Sequence, residues 1–181
     1  MPEALFTSAR LVATPAEDGD LDALLAVRLS NPERLLRTEG LAGQPGRYDR
    51  DMLERDLLIA AFDPERELLA LRLRGAGASG PVIGLVDLLV TNLSDQHPWL
   101  GAVEIAAGRQ RNGYGREAAR AAIAYLAGRN AGGAPVRAVI DSDDAVALAF
   151  AGSCGFTARE VPAGMVLRGD QVLLELAYLV P

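Results

Sequence analysis

The stretch Arg109 to Arg120, reading RQRNGYGREAAR, constrains this chain more than any other. Two glycines, Gly113 and Gly115, are spaced by one residue. A strand with small residues at Ala106 and Ala107 leads into them, and an alanine-rich helical segment, Gly113 to Gly128, leads out. The N–H groups in the first turn of a helix have no intrahelical partner, and the macrodipole places partial positive charge there. Glycine lets the backbone approach a ligand closely and adopt positive φ. A strand–turn–helix unit of this kind is a cradle for an anion, phosphate above all. Arg109, Arg111, Arg116 and Arg120 crowd the start of the helix against one acid, Glu117, whereas helix starts normally favour acids. A glycine turn under a solvated arginine face fits the same residues, so the residues alone leave both readings open.

Around this unit the chain reads as short strands and helices. Arg10 to Thr14 is a strand stopped by Pro15. Asp18-Gly19-Asp20 starts a helix in which Leu21, Leu24, Leu25 and Val27 to Leu29 recur at helical spacing as far as Asn31-Pro32. Arg37 to Arg50, with Gly40, Gly43, Pro45 and Gly46, reads as a mobile loop. Asp51 to Phe62 is a second helix, closed by Asp63-Pro64. Leu68 to Leu73 and Val82 to Val90 are strands joined by the glycine-rich link Gly75 to Gly80, the pattern of an antiparallel hairpin. Asn92 to Pro98 is a turn, and Leu100 to Ala107 is the strand that enters the glycine turn. Beyond the alanine-rich helix come a turn at Asn130 to Pro135 and a strand at Val136 to Ile140. A helix at Asp143 to Ser153 follows, with Asp141, Ser142 and Asp143 offering N-cap oxygens, then strands at Thr157 to Val161 and Gln171 to Val180. The order β-α-α-β-β-β-α-β-α-β-β predicts an α/β fold with a central, largely antiparallel sheet. The 181 residues show no repeat, low-complexity tract or linker, so residues 1–181 are expected to form one domain.

Half of the residues are hydrophobic, enough for a full-sized core, and the net charge is −6. An acidic chain repels the nucleic-acid backbone unless it carries a strong local basic patch, so nucleic acid is not an expected partner. The basic residues are all arginine. Without lysine, Schiff-base chemistry and a lysine-bearing phosphate loop are excluded. A single cysteine, Cys154, excludes an internal disulfide, and with a single histidine, His97, no metal centre is expected. Cys154 reads as a small buried hydrophobe and His97 as a turn residue beside Pro98, in preference to a nucleophilic pair. No apolar run approaches the ~20 residues of a membrane span. No basic-then-apolar leader opens the chain, and the expectation is a cytoplasmic protein without a membrane partner.

The segment Gln110 to Gly115 resembles the Q/R-x-x-G-x-G/A motif of the GNAT superfamily of N-acetyltransferases. Glu117-Ala118-Ala119 and Leu126 are similar to that family's central helix. Ala147, Phe150 and Gly155-Phe156 resemble its acceptor-side helix, which usually ends in Gly-Phe. Ala9-Arg10-Leu11 to Pro15, with Asp20 and Leu24-Leu25, resemble the opening of the ribosomal-protein-acetyltransferase-like (RimJ/RimL-type) branch. The resemblance covers nearly the whole chain. It implies a single α/β GNAT-like domain, its mostly antiparallel central sheet flanked by helices and splayed after the fourth strand. It also implies acetyl-CoA as co-substrate, no metal, and direct attack of an amine on the thioester. On that pattern the backbone of Ile105, Ala106 and Ala107 pairs with the pantetheine arm as a pseudo-strand. Gln110, Arg111, Asn112, Gly113, Tyr114, Gly115 and Arg116 hold the pyrophosphate, while Asp144 and Phe150 contact CoA from the next helix. The protein then has to position the pair, remove a proton from the amine and stabilise the developing oxyanion. The implied acceptor is an amine on a small molecule or a protein N-terminus, and a homodimer is compatible with the resemblance.

Several positions depart from the family pattern. Asp144 stands where the family often has an asparagine that contacts pantetheine, and an ionised aspartate cannot donate. Ala151 stands where a tyrosine often protonates the leaving thiolate; Phe150 beside it cannot donate, and the branch's frequent serine falls at Ala147. Glu104, on the strand lining the expected thioester site, is the candidate general base, with a solvent-facing strand residue as the alternative. Asp87, on the neighbouring strand, is a second candidate. Two other functions use part of the pattern. A non-catalytic acyl-CoA-binding regulatory module accounts for the missing acid. A nucleotide-binding protein shares only the phosphate cradle, and the chain has neither the lysine of a P-loop nor the full dinucleotide fingerprint.

Overall fold

Two hydrophobic periods build the molecule. The structure, a computed structural model, describes residues 3–38, 48–76, 80–130 and 132–176. The chain opens with a short strand β1 (Phe6–Thr7) and β2 (Leu11–Pro15), then three helices, α1 (Leu21–Leu29), α2 (Pro32–Thr38) and α3 (Arg50–Phe62). Three strands follow, β3 (Arg66–Leu73), β4 (Val82–Leu89) and β5 (Trp99–Ile105). The glycine turn leads to α4 (Tyr114–Arg129), then come β6 (Val136–Asp141), α5 (Ala145–Cys154), β7 (Thr157–Arg159) and β8 (Gln171–Leu176).

The strands form one sheet in the order β1-β2-β3-β4-β5-β6-β8-β7. Strands β1 to β5 pair antiparallel, as do β6, β8 and β7. The two halves meet where β5 lies parallel to β6, and they pair there at one position, Trp99 with Arg137. From that contact the strands diverge, so the sheet is splayed after β5, the fourth strand read from the sequence.

Alternation along the central strands explains the layers. In β3, Leu69 and Leu71 enter one core with Ala118, Ala122 and Leu126 of α4, while Leu68 and Ala70 enter a second with Leu21 and Leu24 of α1 and Leu53 of α3. A strand with period-two side chains and helices on both faces is apolar on both, which is why β3 and β4 read as near-continuous hydrophobic runs. Each fully buried leucine contributes about 1.5–3 kcal/mol. Ala118, Ala119 and Ala122 are fully buried, so their small side chains let α4 lie close on the sheet and bring its N-terminus against the end of β5.

Local signals set the helix ends. The Asp49 side chain accepts from Met52 N at α3, and Asp144 accepts from Ala147 N at α5; Gly155, at φ 102°, closes α5 in the left-handed conformation. Helix α2 was not expected, because Asn31-Pro32 reads as a helix stop. Pro32 instead occupies the first position of a new helix, where its missing N–H costs nothing. The expected loop at Arg37 to Arg50 therefore begins in a helix, and its residues 39–47 lie outside the described residues. Strand β5 ends at Ile105, two residues before the expected end; Ala107 already begins a 3-10 turn running to Arg109. The last strand matches its expected start, and residues 177–181 lie outside the described ones.

Candidate active site

The divergence of β5 from β6 opens a cleft of about 900 Å³. One wall is β5 at Leu100, Gly101, Ala102 and Val103, and the opposite wall is β6 from Ala138 to Asp141. Small or apolar residues of α4 and α5, among them Ala119, Ala147, Phe150, Ala151 and Cys154, line it on one face of the sheet. Arg34 and Arg37 of α2 line it on the other. Elements from both faces of the sheet therefore line the cleft.

Among the described residues the edge of β5 that faces this cleft pairs with β6 at Trp99 alone, while its other edge pairs with β4. Ala106 N donates to Ile83 O at 2.9 Å. In an antiparallel ladder alternate residues pair with a given neighbour, so 104 and 106 address β4 while 103 and 105 address the open edge. Glycine at position 84 is required here, because a Cβ would collide with the Glu104 carbonyl.

At the end of this edge the chain turns into the glycine motif. Gly113 is the N-cap of α4 at φ 80°, and Arg111 also has positive φ, 62°. Both conformations turn successive N–H groups outward, and residues 109–113 are exposed. Asn112 braces the turn from inside, its amide donating to Gln110 O at 2.9 Å and to Arg109 O at 3.2 Å. Arg10, far away in sequence, braces it from outside. Its guanidinium donates to Asn112 O at 3.0 Å and to Glu117 at 2.6 Å, and it lies 4.5 Å from the centre of the Tyr114 ring. Glu117 also accepts from the Ser8 hydroxyl at 2.6 Å and from Arg10 N at 2.7 Å. Burial alone would raise its carboxyl pKa, but these donors outweigh burial and hold it below the usual value. Thus Glu117 is committed to the protein, whereas Arg109, Arg111, Arg116 and Arg120 make no ion pair with a described residue. Arg116 and Arg120 line a second concavity of about 470 Å³ beside Gly113.

The expected CoA-contacting residues lie along the glycine turn, the end of β5 and the start of α5. Gly115 sits against Phe150 and Ile105, which joins the turn to α5 and to the end of β5. Asp144 lies on the cleft with its carboxylate capping α5 at 2.9 Å from Ala147 N. The cleft wall is formed by Gly101 to Val103, one strand segment before the expected Ile105, Ala106 and Ala107. The Ile105 carbonyl is already taken by the Asn31 and Gln110 side-chain amides, at 3.1 and 3.0 Å, and Ala107 N by the Ser30 hydroxyl at 3.0 Å.

Glu104 is not solvent-facing, since it is 3% exposed. Its Oε1 accepts from Asn31 at 3.1 Å, and its Oε2 lies 3.5 Å from Arg34 and 3.9 Å from Arg28. It is absent from the described residues lining the cleft, although its partner Arg34 is present. Asp87 is held by both arms of Arg66, at 3.0 and 2.7 Å. His97 is a turn residue, its Nδ1 2.6 Å from Asp95 O. Cys154 is buried as expected, and burial pushes its thiol pKa up, against Ser153, Arg116 and Arg120. Burial and the bond to Glu67 push the Tyr125 hydroxyl up to about 12, and it points away from the cleft toward β3. Among the described residues no group of three or more His, Cys, Asp or Glu side chains could hold a metal ion, and no helix is long and apolar enough to cross a membrane.

Ser30, Asn31 and Arg10 also contact the glycine turn or the end of β5, which the sequence alone does not reveal. Ser30 and Asn31 were visible only as part of a helix stop, and two polar residues before a proline at a helix corner was the one local signal available.

Comparison with known proteins agrees with this fold. Residues 10–157 match the model of the acetyltransferase (GNAT) domain. No curated protein sequence matches significantly. Among solved structures, an acetyltransferase from Thermus thermophilus superposes with a TM-score of 0.68 at 21% identity, covering 96% of this chain and 97% of its own. RimJ of Mycobacterium smegmatis, in complex with CoA-disulfide, gives 0.73 at 14% identity, with 97% and 88% covered. Spermidine N-acetyltransferase of Vibrio cholerae, in complex with CoA and spermine, gives 0.66 at 19% identity, with 92% and 95% covered. At these identities the likeness is one of fold, and it is the domain match over most of the chain, on the same strand–turn–helix unit, that assigns the chain to the GNAT family of acetyltransferases.

Proposed function

We propose that the chain transfers an acetyl group from acetyl-CoA to a primary amine by direct attack. One observation carries this reading: the open edge of β5 lines a cleft and ends at an exposed glycine turn, flanked by four arginines that make no ion pair with a described residue, and this suits a pyrophosphate. Acetyl-CoA supplies the acyl group as a thioester. The backbone N–H groups of residues 111–115 meet the pyrophosphate, with Arg109, Arg111, Arg116 and Arg120 adding charge. Val103 and the Ile105 N–H offer pairing positions to an extended arm, and Ala119, Ala147 and Ala151 leave room for it. The amine enters from the α2 face beside Arg34 and Arg37.

Among the described residues the cleft lining offers no tyrosine or histidine to protonate the leaving thiolate. A thiol of ordinary acidity, about 8.5, leaves as thiolate near neutral pH without one. Glu104, the expected base, is assigned here as the anchor of Arg34 and Asn31, and the ammonium proton passes to water in the open cleft. A non-catalytic acyl-CoA-binding module remains the second reading, favoured by Ala151 at the donor position.

Release of free thiol from acetyl-CoA, measured against a panel of amines, tests the proposal. The panel holds polyamines and peptides with free N-termini, because a spermidine acetyltransferase shares the fold. Amine-dependent thiol release is the expected result. Binding of acetyl-CoA with no release for any amine selects the module.

A further inference from the structure

The helix corner between α1 and α2 carries chemistry that the GNAT turn does not account for. Asn31 projects its amide across to β5, where its nitrogen lies 3.1 Å from Ile105 O, 3.1 Å from Glu104 Oε1 and 3.1 Å from Val27 O. Two amide protons are shared among three acceptors, one on its own helix and two on the strand. Its oxygen accepts from Gln110 Nε2 at 2.6 Å, and the same Gln110 nitrogen donates to Ile105 O at 3.0 Å. Beside it, Ser30 Oγ donates to Val27 O at 2.7 Å and accepts from Ala107 N at 3.0 Å. Thus the first residue of the glycine motif does not face the anion site with its side chain. It is latched to a helix corner on the opposite face of the sheet.

The latch acts at one place. Ile105 O and Ala107 N are the last backbone groups of the open edge before the chain turns away, and side chains take both. An extended ligand pairing with β5 meets this cap, so its pairing stops at the Ile105 N–H. The same contacts fix the separation between that edge and the phosphate turn, because Asn31 holds Ile105 O and Gln110 at once.

We infer that Asn31, with Ser30, is a positioning residue that sets the register between the pantetheine-binding edge of β5 and the pyrophosphate-binding turn. This rests on the proposed reading of the site as an acyl-CoA cleft. The turn has its own braces in Arg10 and Asn112, so the phosphate cradle survives loss of the latch, whereas a ligand that must engage edge and cradle together does not fit both. Misplacement of about 1 Å is costly for a ligand held at two points.

The test is calorimetric titration of wild type, Asn31→Ala and Ser30→Ala with two probes. One is CoA, and the other is adenosine 3′-phosphate 5′-diphosphate, which carries the nucleotide and diphosphate without the pantetheine arm. Asn31→Ala is expected to weaken CoA about tenfold and to bind the nucleotide within about twofold of wild type. Ser30→Ala, which keeps every Asn31 contact, shows the same split at smaller size and covers the case in which Asn31→Ala fails to fold. Asn31→Asp keeps the acceptor for Gln110, loses the donors and adds a charge beside Glu104, so it weakens CoA more than Asn31→Ala does. Equal loss for both probes, or CoA affinity unchanged in all variants, overturns the inference. Wild type that binds neither probe overturns the reading of the site itself.

Discussion

Gly113 carries the sharpest demand on a single residue. Its φ of 80° is unfavourable for any side chain by about 1–2 kcal/mol, and a Cβ there would lie 3.3 Å from the Arg10 guanidinium. Gly113→Glu adds a negative charge where a phosphate is proposed to sit, so CoA affinity should fall by at least about tenfold in a protein that still folds; calorimetry reads this directly. Glu104→Gln separates anchor from base. As an anchor it should lower the rate by less than about tenfold with an unchanged pH profile, whereas loss of a general base costs about 100-fold or more. A steady-state pH–rate profile of the variant decides between them. The glycine turn was legible in the sequence because its glycines and arginines lie within one short segment. Asn31, Ser30 and Arg10 were not, because they reach the turn across 79, 77 and 102 positions of chain. Glu104 was legible as a special carboxylate but not as a buried one, since alternation along β5 does not reveal that α1 and α2 cover it with arginines.

The first turn of α4 is the element whose stability the site borrows. Glu117 ties it to the β1–β2 corner through Ser8 and Arg10, and these contacts need the ionised carboxylate. Because its folded pKa is depressed, its contribution is present above the unfolded value of about 4.3 and is lost as pH falls through the folded value. Glu117→Gln should therefore be less stable than wild type at pH 7, and the gap should narrow as pH falls below about 4.3 and close below the depressed folded value. Denaturant unfolding at pH 7 and at low pH checks this. A gap that persists at low pH would mean that packing, not charge, holds the corner. At this scale the strands β2 to β8 and the helices α1, α3, α4 and α5 followed from periodicity and caps, whereas the two-residue strand β1 is too short to show a period. Helix α2 did not, because Pro32 serves equally as the stop of one helix and the start of the next, and only the packing of Leu35 into the core distinguishes them.

The whole molecule depends on how two half-sheets are held at one end and parted at the other. Arg137, 6% exposed, sits at the closed end. Its N donates to Pro98 O at 2.8 Å, and its guanidinium bridges Asp95 of the β4–β5 turn at 3.0 Å and Glu175 of β8 at 2.8 Å. Removing one partner of a buried ion network costs about 3–5 kcal/mol, so Arg137→Ala should lower unfolding free energy by that order in denaturant titration. The mostly antiparallel order was readable from the hairpins, and the splay only through the family resemblance. No local signal marks that β5 and β6 meet at Trp99 and Arg137 and then part. If this parting receives the arm of acetyl-CoA, as proposed, a crystal structure of the chain with CoA will show it there. The pyrophosphate is expected on the N–H groups of residues 111–115 and the pantetheine arm between β5 and β6, paired along Val103 and stopping at the Asn31 cap. CoA bound outside that cleft, or with its pyrophosphate away from the glycine turn, would contradict the proposal.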